Sequence, residues 1–426
     1  MPWLRGMGTL LVHRMKSKLF FACGCILVFL SSCAKGGPIA PADTASNPSQ
    51  EFTTTLSPSP FQPVVHSPTP SASPTVTPTV TPTLRPTVIP PASGEETMRT
   101  YADPIGFGIG TVYQAQESRN PQFPPVFASE FNTVMMTTFL KKVQPSRDQW
   151  DWSLTDEVLT LAQADNQKII GGPLVYDNAT APAWLMFDHA DCGAWTPAEL
   201  EGILRTYIQT VTARFGKKVS AWEVVNEPLT SGDNCWRRLL GDHYIDRAFR
   251  YAHEADPDAL LMLNEAFGRA GVDRGTADQF LALVKQLKAA GVPIDAVGIQ
   301  MHLSAEILRP TYPQEFQYFL DRARRVGVEV WITEMDVYQG PPSHFPNSLD
   351  IQKQIYKTVA RICLQSTLCT RLILWGISDR YTWLAHLSGN NFIDPQPLLF
   401  DAQFQKKPAY FGVLDALREA GGGGGQ

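Results

Sequence analysis

Trp222-Glu223-Val224-Val225-Asn226-Glu227-Pro228 begins as a strand and ends as chemistry. Trp222, Val224 and Val225 favour extended structure, and the apolar run is short enough for a buried parallel strand. Asn226 and Glu227 stand at its C-terminal end, and Pro228 stops further strand pairing. A second stretch ends the same way: Val328-Glu329-Val330-Trp331-Ile332-Thr333-Glu334-Met335-Asp336. A buried strand has no reason of its own to finish in a carboxylate. Two that each deliver a Glu at the tip point to a site built from strand ends, as on the C-terminal face of a parallel barrel.

Outward from these two, strand and helix patterns alternate. Strands are predicted over 106–113, 131–138, 168–176, 221–227, 259–265, 296–302, 329–335 and 372–378. Thr196-Pro197-Ala198-Glu199 reads as an N-cap, Pro at the first helical position and Glu at the third, opening a helix that runs to Phe215. Residues 279–290 form an amphipathic helix that stops at Gly291. Eight such units predict an α/β fold, a (β/α)8 TIM barrel, over residues 98–420. An open doubly wound sheet is the alternative. Gly106-Phe107-Gly108-Ile109-Gly110 lies within a strand and lacks the helix entry of a nucleotide-binding turn.

The flanks have other characters. Arg5, Arg14, Lys16 and Lys18 precede an apolar run, 19–30, too short to span a bilayer as a mature helix. The run ends Leu30-Ser31-Ser32-Cys33, which resembles a bacterial lipoprotein signal (1–33) with Cys33 as the lipidation site. Pro, Ser and Thr dominate 34–97, too polar to offset its ordering entropy, so a disordered, semi-stiff tether is expected. Residues 421–426 read as a flexible glycine tail. The expected location is therefore the cell surface or a membrane, reached only through the lipid anchor, with release outside the cell as a variant.

Of the seven cysteines, Cys23 and Cys25 leave with the signal and Cys33 takes lipid. Cys192, Cys235, Cys363 and Cys369 remain, an even number that allows two disulfides in an exported protein. Cys363 and Cys369 flank a helix end and the last strand. Cys192 and Cys235 fall in the loops after the third and fourth strands. The net charge of −5 and the lack of a basic run exclude nucleic acid as a partner. No metal-ligand spacing is present, and no cofactor is implied. A monomer is expected.

Two carboxylates across a barrel mouth can cleave a glycosidic bond. One, kept protonated, donates to the leaving oxygen, and the other attacks the anomeric carbon. Asn226 is placed to hydrogen-bond a sugar 2-hydroxyl. Gln300 and His302 end the sixth strand, and with one residue between them they share a face. His302 can then hold Glu334 as an anion, with Asp336 behind the imidazole. Trp375 offers a floor for a sugar ring and Trp383 a cover. Singly, His302, Trp375 and Trp383 read as core residues; it is their joint place at strand ends that argues for a site.

Over 101–417 the chain resembles glycoside hydrolase family 10, the retaining endo-1,4-β-xylanases. The matching stretches are 222–228, Gly298-Ile299-Gln300-Met301-His302-Leu303 and Trp331-Ile332-Thr333-Glu334-Met335-Asp336-Val337. Trp375-Gly376-Ile377-Ser378-Asp379-Arg380-Tyr381-Thr382-Trp383, Pro397-Leu398-Leu399-Phe400-Asp401 and Lys407-Pro408-Ala409-Tyr410 complete them. The resemblance implies Glu227 as acid/base and Glu334 as nucleophile, with Asn226, Gln300, His302, Trp375 and Trp383 around the −1 sugar. It also implies a Cys363–Cys369 bond and a plant-type β-glycan, xylan or a related hemicellulose, as the partner.

Two strands depart from the family pattern. The second usually ends Glu-Asn-x-Met-Lys, but here reads Asn132-Thr133-Val134-Met135-Met136-Thr137-Thr138-Phe139-Leu140, with no such Glu, Asn or Lys. The third usually reads Gly-His-Thr-Leu-Val-Trp-His, but here is Gly171-Gly172-Pro173-Leu174-Val175-Tyr176-Asp177, with Asp177 where a sugar-binding His is expected. A glycone with a less polar or bulkier group facing these strands is expected. The alternatives are a glycosidase of this fold acting on a different or substituted β-glycoside, and a non-catalytic polysaccharide-binding lipoprotein. Retention of both Glu227 and Glu334 speaks against the latter.

Overall fold

In the computed structural model, strand follows strand around a closed ring. The structure describes residues 96–340, 347–387 and 394–422. Cys33, the signal, the Pro/Ser/Thr-rich segment to residue 95 and the tail from 423 lie outside the described residues. The strands are β1 (Gly108–Val112), β2 (Thr133–Thr137), β3 (Lys168–Gly172), β4 (Ala221–Asn226), β5 (Leu260–Ala266), β6 (Ala296–Leu303), β7 (Glu329–Val337) and β8 (Cys369–Leu374). All neighbours pair parallel in sequence order, and β8 pairs back onto β1 through Gly110↔Ile373. That closure rules out the open doubly wound sheet.

Each strand sends one residue into an apolar cluster within the barrel: Val112, Met135, Ile170, Ala221, Met262, Ala296, Trp331 and Ile373. The interior is thus a packed core, and a site can form only above it. The opposite faces of the strands meet amphipathic helices. The helix Pro197–Phe215 buries Leu200, Leu204, Tyr207, Ile208 and Val211, residues three or four apart. Its start is the expected capping box: the Thr196 side chain accepts from the Glu199 N–H, and the Glu199 carboxylate accepts from the Thr196 N–H.

Three expectations change. β3 stops at Gly172 rather than at Tyr176, because Pro173 has no N–H for the ladder. Pairing resumes only at the isolated bridge between Val175 and Val225. β8 is shifted to Cys369–Leu374, so Trp375 stands just beyond it. The C-terminal helix Pro408–Gly422 takes in the first two glycines read as tail.

Both disulfides are present. Cys192 bonds Cys235 with Cα atoms 5.7 Å apart, tying the loop after β3 to the start of a short helix after β4. Cys363 bonds Cys369 with Cα atoms 5.0 Å apart, tying the helix Ser348–Leu364 to β8.

Candidate active site

Strict alternation would face Val225 inward and Asn226 outward. A bulge between Glu223 and Val225 prevents this. Val224 and Val225 both pack in the outer core, so Asn226 turns into the barrel mouth. Glu227 follows with φ of 52°, a left-handed conformation uncommon for a residue with a side chain. Its N–H donates to the Asn264 carbonyl at 2.8 Å, which holds the turn in place. β7 carries a second bulge: Ile299 faces Ile332 but Gln300 faces Glu334, so Thr333 is the extra residue. Thr333 and Glu334 consequently both point inward.

The inward groups form one network. Gln300 Nε2 donates to Glu227 Oε1 at 2.8 Å and to Asn226 Oδ1 at 3.1 Å. Asn264 Nδ2 donates to Asn226 Oδ1 at 3.0 Å and to Glu334 Oε1 at 2.9 Å, and the Thr333 hydroxyl donates to Asn264 Oδ1 at 2.7 Å. Asn226 Oδ1 thus accepts twice, which leaves the NH2 of Asn226 as its donor end for a ligand. Glu227 is half-buried, and it also accepts from the Tyr176 hydroxyl at 2.8 Å and the Ser231 hydroxyl at 3.4 Å. Burial, then the charge of Glu227, hold the Tyr176 phenol well above its ordinary value, so it is the donor.

Glu334 is 5% exposed. Its Oε2 lies 3.2 Å from His302 Nε2, and His302 Nδ1 lies 2.9 Å from Asp336 Oδ2. Burial alone would lower the imidazole, but Asp336 and Glu334 overcome it and raise His302 to about 10. The ring is therefore a cation between two carboxylates. Burial pushes Glu334 up, and His302 pulls it back. Trp383 Nε1 donates to Asp336 Oδ2 at 2.7 Å, which sets the indole 4.9 Å from the His302 ring. Trp375 stands 6.2 Å from His302 on its other approach and packs on the barrel core. Glu227, Glu334, Asn226, Gln300, His302, Asp336, Trp375 and Trp383 thus meet in one place.

Asp177 bonds within its own loop instead. Its Oδ1 accepts from the Thr180 N–H at 3.2 Å and caps a short turn. Met135 belongs to the barrel core and Met136 to the outer core, so neither rebuilds the cleft. Thr137, Phe139 and Lys142 do line it. Lys141 and Lys142 follow Leu140 directly, so the strand end does carry lysines, just past the stretch read as lacking one. Lys141 Nζ is bound to the Ala179 carbonyl at 2.7 Å, whereas Lys142 reaches the cleft.

Sequence reasoning passed over Tyr176, Asn264 and Glu223. Glu223 is fully buried and lies against Gly172: a Cβ at Gly172 would stand 2.5 Å from the Glu223 Cβ. The position where the resemblance expects a histidine is therefore closed to any side chain. Burial, then the charge of Glu334, push Glu223 well above the usual carboxylate range. Only the length of β4 and the alternation from Ala221 hinted that Glu223 faces inward.

The glycosyl hydrolase family 10 profile matches residues 97–416. The chain belongs to glycosyl hydrolase family 10. It is 28% identical over 326 residues to endo-1,4-β-xylanase B of Thermotoga neapolitana, covering 74% of this chain and 88% of that one. It is 32% identical over 332 residues to endo-1,4-β-xylanase C of Paenibacillus barcinonensis, covering 70% of this chain but only 30% of that longer protein. Among solved structures, xylanase 10B of Thermotoga petrophila in complex with xylobiose superposes with a TM-score of 0.68 at 27% identity, over 77% of this chain and 98% of that one. The Thermotoga petrophila structure thus shares the barrel over nearly its whole length.

Proposed function

We propose that this protein is a retaining glycoside hydrolase that cleaves internal β-1,4 linkages of xylan or a related hemicellulose by double displacement. One observation carries the reading: Glu227 and Glu334, on separate strand tips, are joined through Gln300, Asn226 and Asn264, yet have unlike partners. Glu334 faces a cation and suits the nucleophile. Glu227 meets only neutral donors, Tyr176 and Gln300 on Oε1 and Ser231 on Oε2, and suits the acid/base. Glu334 attacks the anomeric carbon while Glu227 protonates the leaving oxygen. Glu227 then takes a proton from water, which attacks the glycosyl-enzyme and restores the original configuration. Asn226 donates to the sugar 2-hydroxyl, and Trp375 and Trp383 bracket the ring. Family membership and the xylanases among the relatives support the substrate class.

The purified protein is expected to release reducing ends from xylan within a panel of β-glycans. NMR should show the β-anomer as the first product; an α-anomer formed first would reject double displacement. We also propose export as a lipoprotein, supported by 1–33, the tether 34–97 and the disulfides. Cys33→Ser is expected to move the protein from the membrane fraction to the soluble one, and unchanged membrane association would reject the anchor.

A further inference from the structure

Beside the carboxylates, the cleft opens into a recess of about 370 Å³ framed by the ends of β1, β2 and β8. Trp375 and Trp383 form the shared wall. Tyr113, Phe139 and Leu154 make the rest largely apolar. The Lys142 ammonium lies over the Phe139 ring, 5.4 Å from its centroid. Tyr113 is 2% exposed, and its buried hydroxyl faces Glu157 and Ser118. An aromatic bowl with a lysine at its edge is thus continuous with the site.

The charge distribution narrows the occupant. Glu227, Glu334, Glu223 and Asp336 crowd the catalytic side, and the chain as a whole carries −5. Among the described residues, no Asp or Glu lines the recess, and Lys142 has no carboxylate within ion-pair distance. The segments 341–346 and 388–393 contain no Asp or Glu either. Partial burial, then the charge of Lys141, hold the Lys142 ammonium below the usual lysine range, although the side chain still reaches solvent. A carboxylate brought into the recess would find a counter-ion there, which a neutral sugar would not use.

We propose that this recess takes a carboxylate-bearing sugar branch of the β-glycan, a uronic acid, with Lys142 as its counter-ion. The inference rests on the glycanase reading and narrows its substrate. The apolar wall covers the sugar face, while Lys142 meets the carboxylate. This keeps the bulkier group expected from the strand sequences and gives it a charge.

The test uses a xylo-oligosaccharide with one glucuronic acid branch and the same molecule with the carboxyl reduced to the alcohol. The full protein is expected to show kcat/KM about tenfold to a hundredfold higher on the acid, the range of a charge-assisted hydrogen bond. Added salt narrows the gap. Lys142→Gln collapses the preference while leaving the reduced substrate within about threefold, and Lys142→Glu reverses it. Equal rates on both substrates, or equal losses on both in Lys142→Gln, overturn the proposal. Calorimetric binding of the same pair to Glu334→Ala separates the two readings. Acid-selective binding that depends on Lys142, without turnover by the parent protein, keeps the recess and rejects the glycanase; turnover of both without selectivity does the reverse.

Discussion

Glu334→Ala is expected to lower kcat by at least about 10⁴-fold on every substrate, including aryl β-glycosides with activated leaving groups. The reason is geometric. Glu334 sits at the one point where a carboxylate is held between the His302 cation and the Asn264 amide. Glu223, the nearest alternative in sequence, is buried against Gly172, and its Oε1 is 3.3 Å from the same Asn264 nitrogen. It faces the core and cannot take over the attack. A good leaving group therefore offers no escape, since the bond to the anomeric carbon is never made. Retention of more than about one per cent of the activity on an aryl glycoside would remove Glu334 from the role. Asp336→Asn in the same assay separates charge from position. His302 is raised to about 10, so its positive charge is present below that pH and lost as pH rises through it. Without one of the two anions, the imidazolium is lost at lower pH, and the alkaline limb of kcat/KM moves down.

What could be read from sequence divides by how local its cause is. The capping box at Thr196 was legible because Thr196, Pro197 and Glu199 decide it among themselves. The strand tips at Glu227 and Glu334 were legible because a buried apolar run has no local use for a carboxylate. That pattern does not by itself select the catalytic pair. Glu265 also falls near a strand end, yet its oxygens accept from the Leu229 and Ala266 N–H groups and hold the backbone after β4. The bulges after Glu223 and at Thr333 were not legible, since each is a mismatch with a neighbouring strand and not a property of its own residues. Asn264 escaped for the same reason: its value lies in reaching Asn226 and Glu334, residues 38 and 70 positions away. The loss of the histidine at Gly172 looked like a subsite turned apolar, whereas the backbone and Cβ of Glu223 leave no room there for a side chain. The lysines after Leu140 were missed because the strand pattern ended there and the short helix Leu140–Val143 carries Lys142 into the recess.

Glu227→Ala is expected to give a loss that depends on the leaving group. On xylan or an unsubstituted oligosaccharide, the leaving alkoxide needs a proton, and kcat is expected to fall about 10²–10⁴-fold. An aryl glycoside with an acidic phenol leaves without that proton, so Glu334 still attacks and the first step is nearly preserved. The second step is not, because water has lost its base. A burst of phenol followed by slow steady turnover is therefore expected, with the glycosyl-enzyme accumulating on Glu334. Removing the carboxylate also leaves the Tyr176 hydroxyl and Gln300 amide facing an opening, both donors well suited to a small anion. Azide needs no deprotonation to act as a nucleophile. It is expected to enter there, raise the steady rate, and yield a glycosyl azide of retained configuration. In Glu334→Ala, which forms no glycosyl-enzyme, azide can act only by direct attack on the substrate, and any product is the azide of inverted configuration. Equal losses on alkyl and aryl leaving groups, or a glycosyl azide of retained configuration from Glu334→Ala, would reverse or dissolve the assignment of roles.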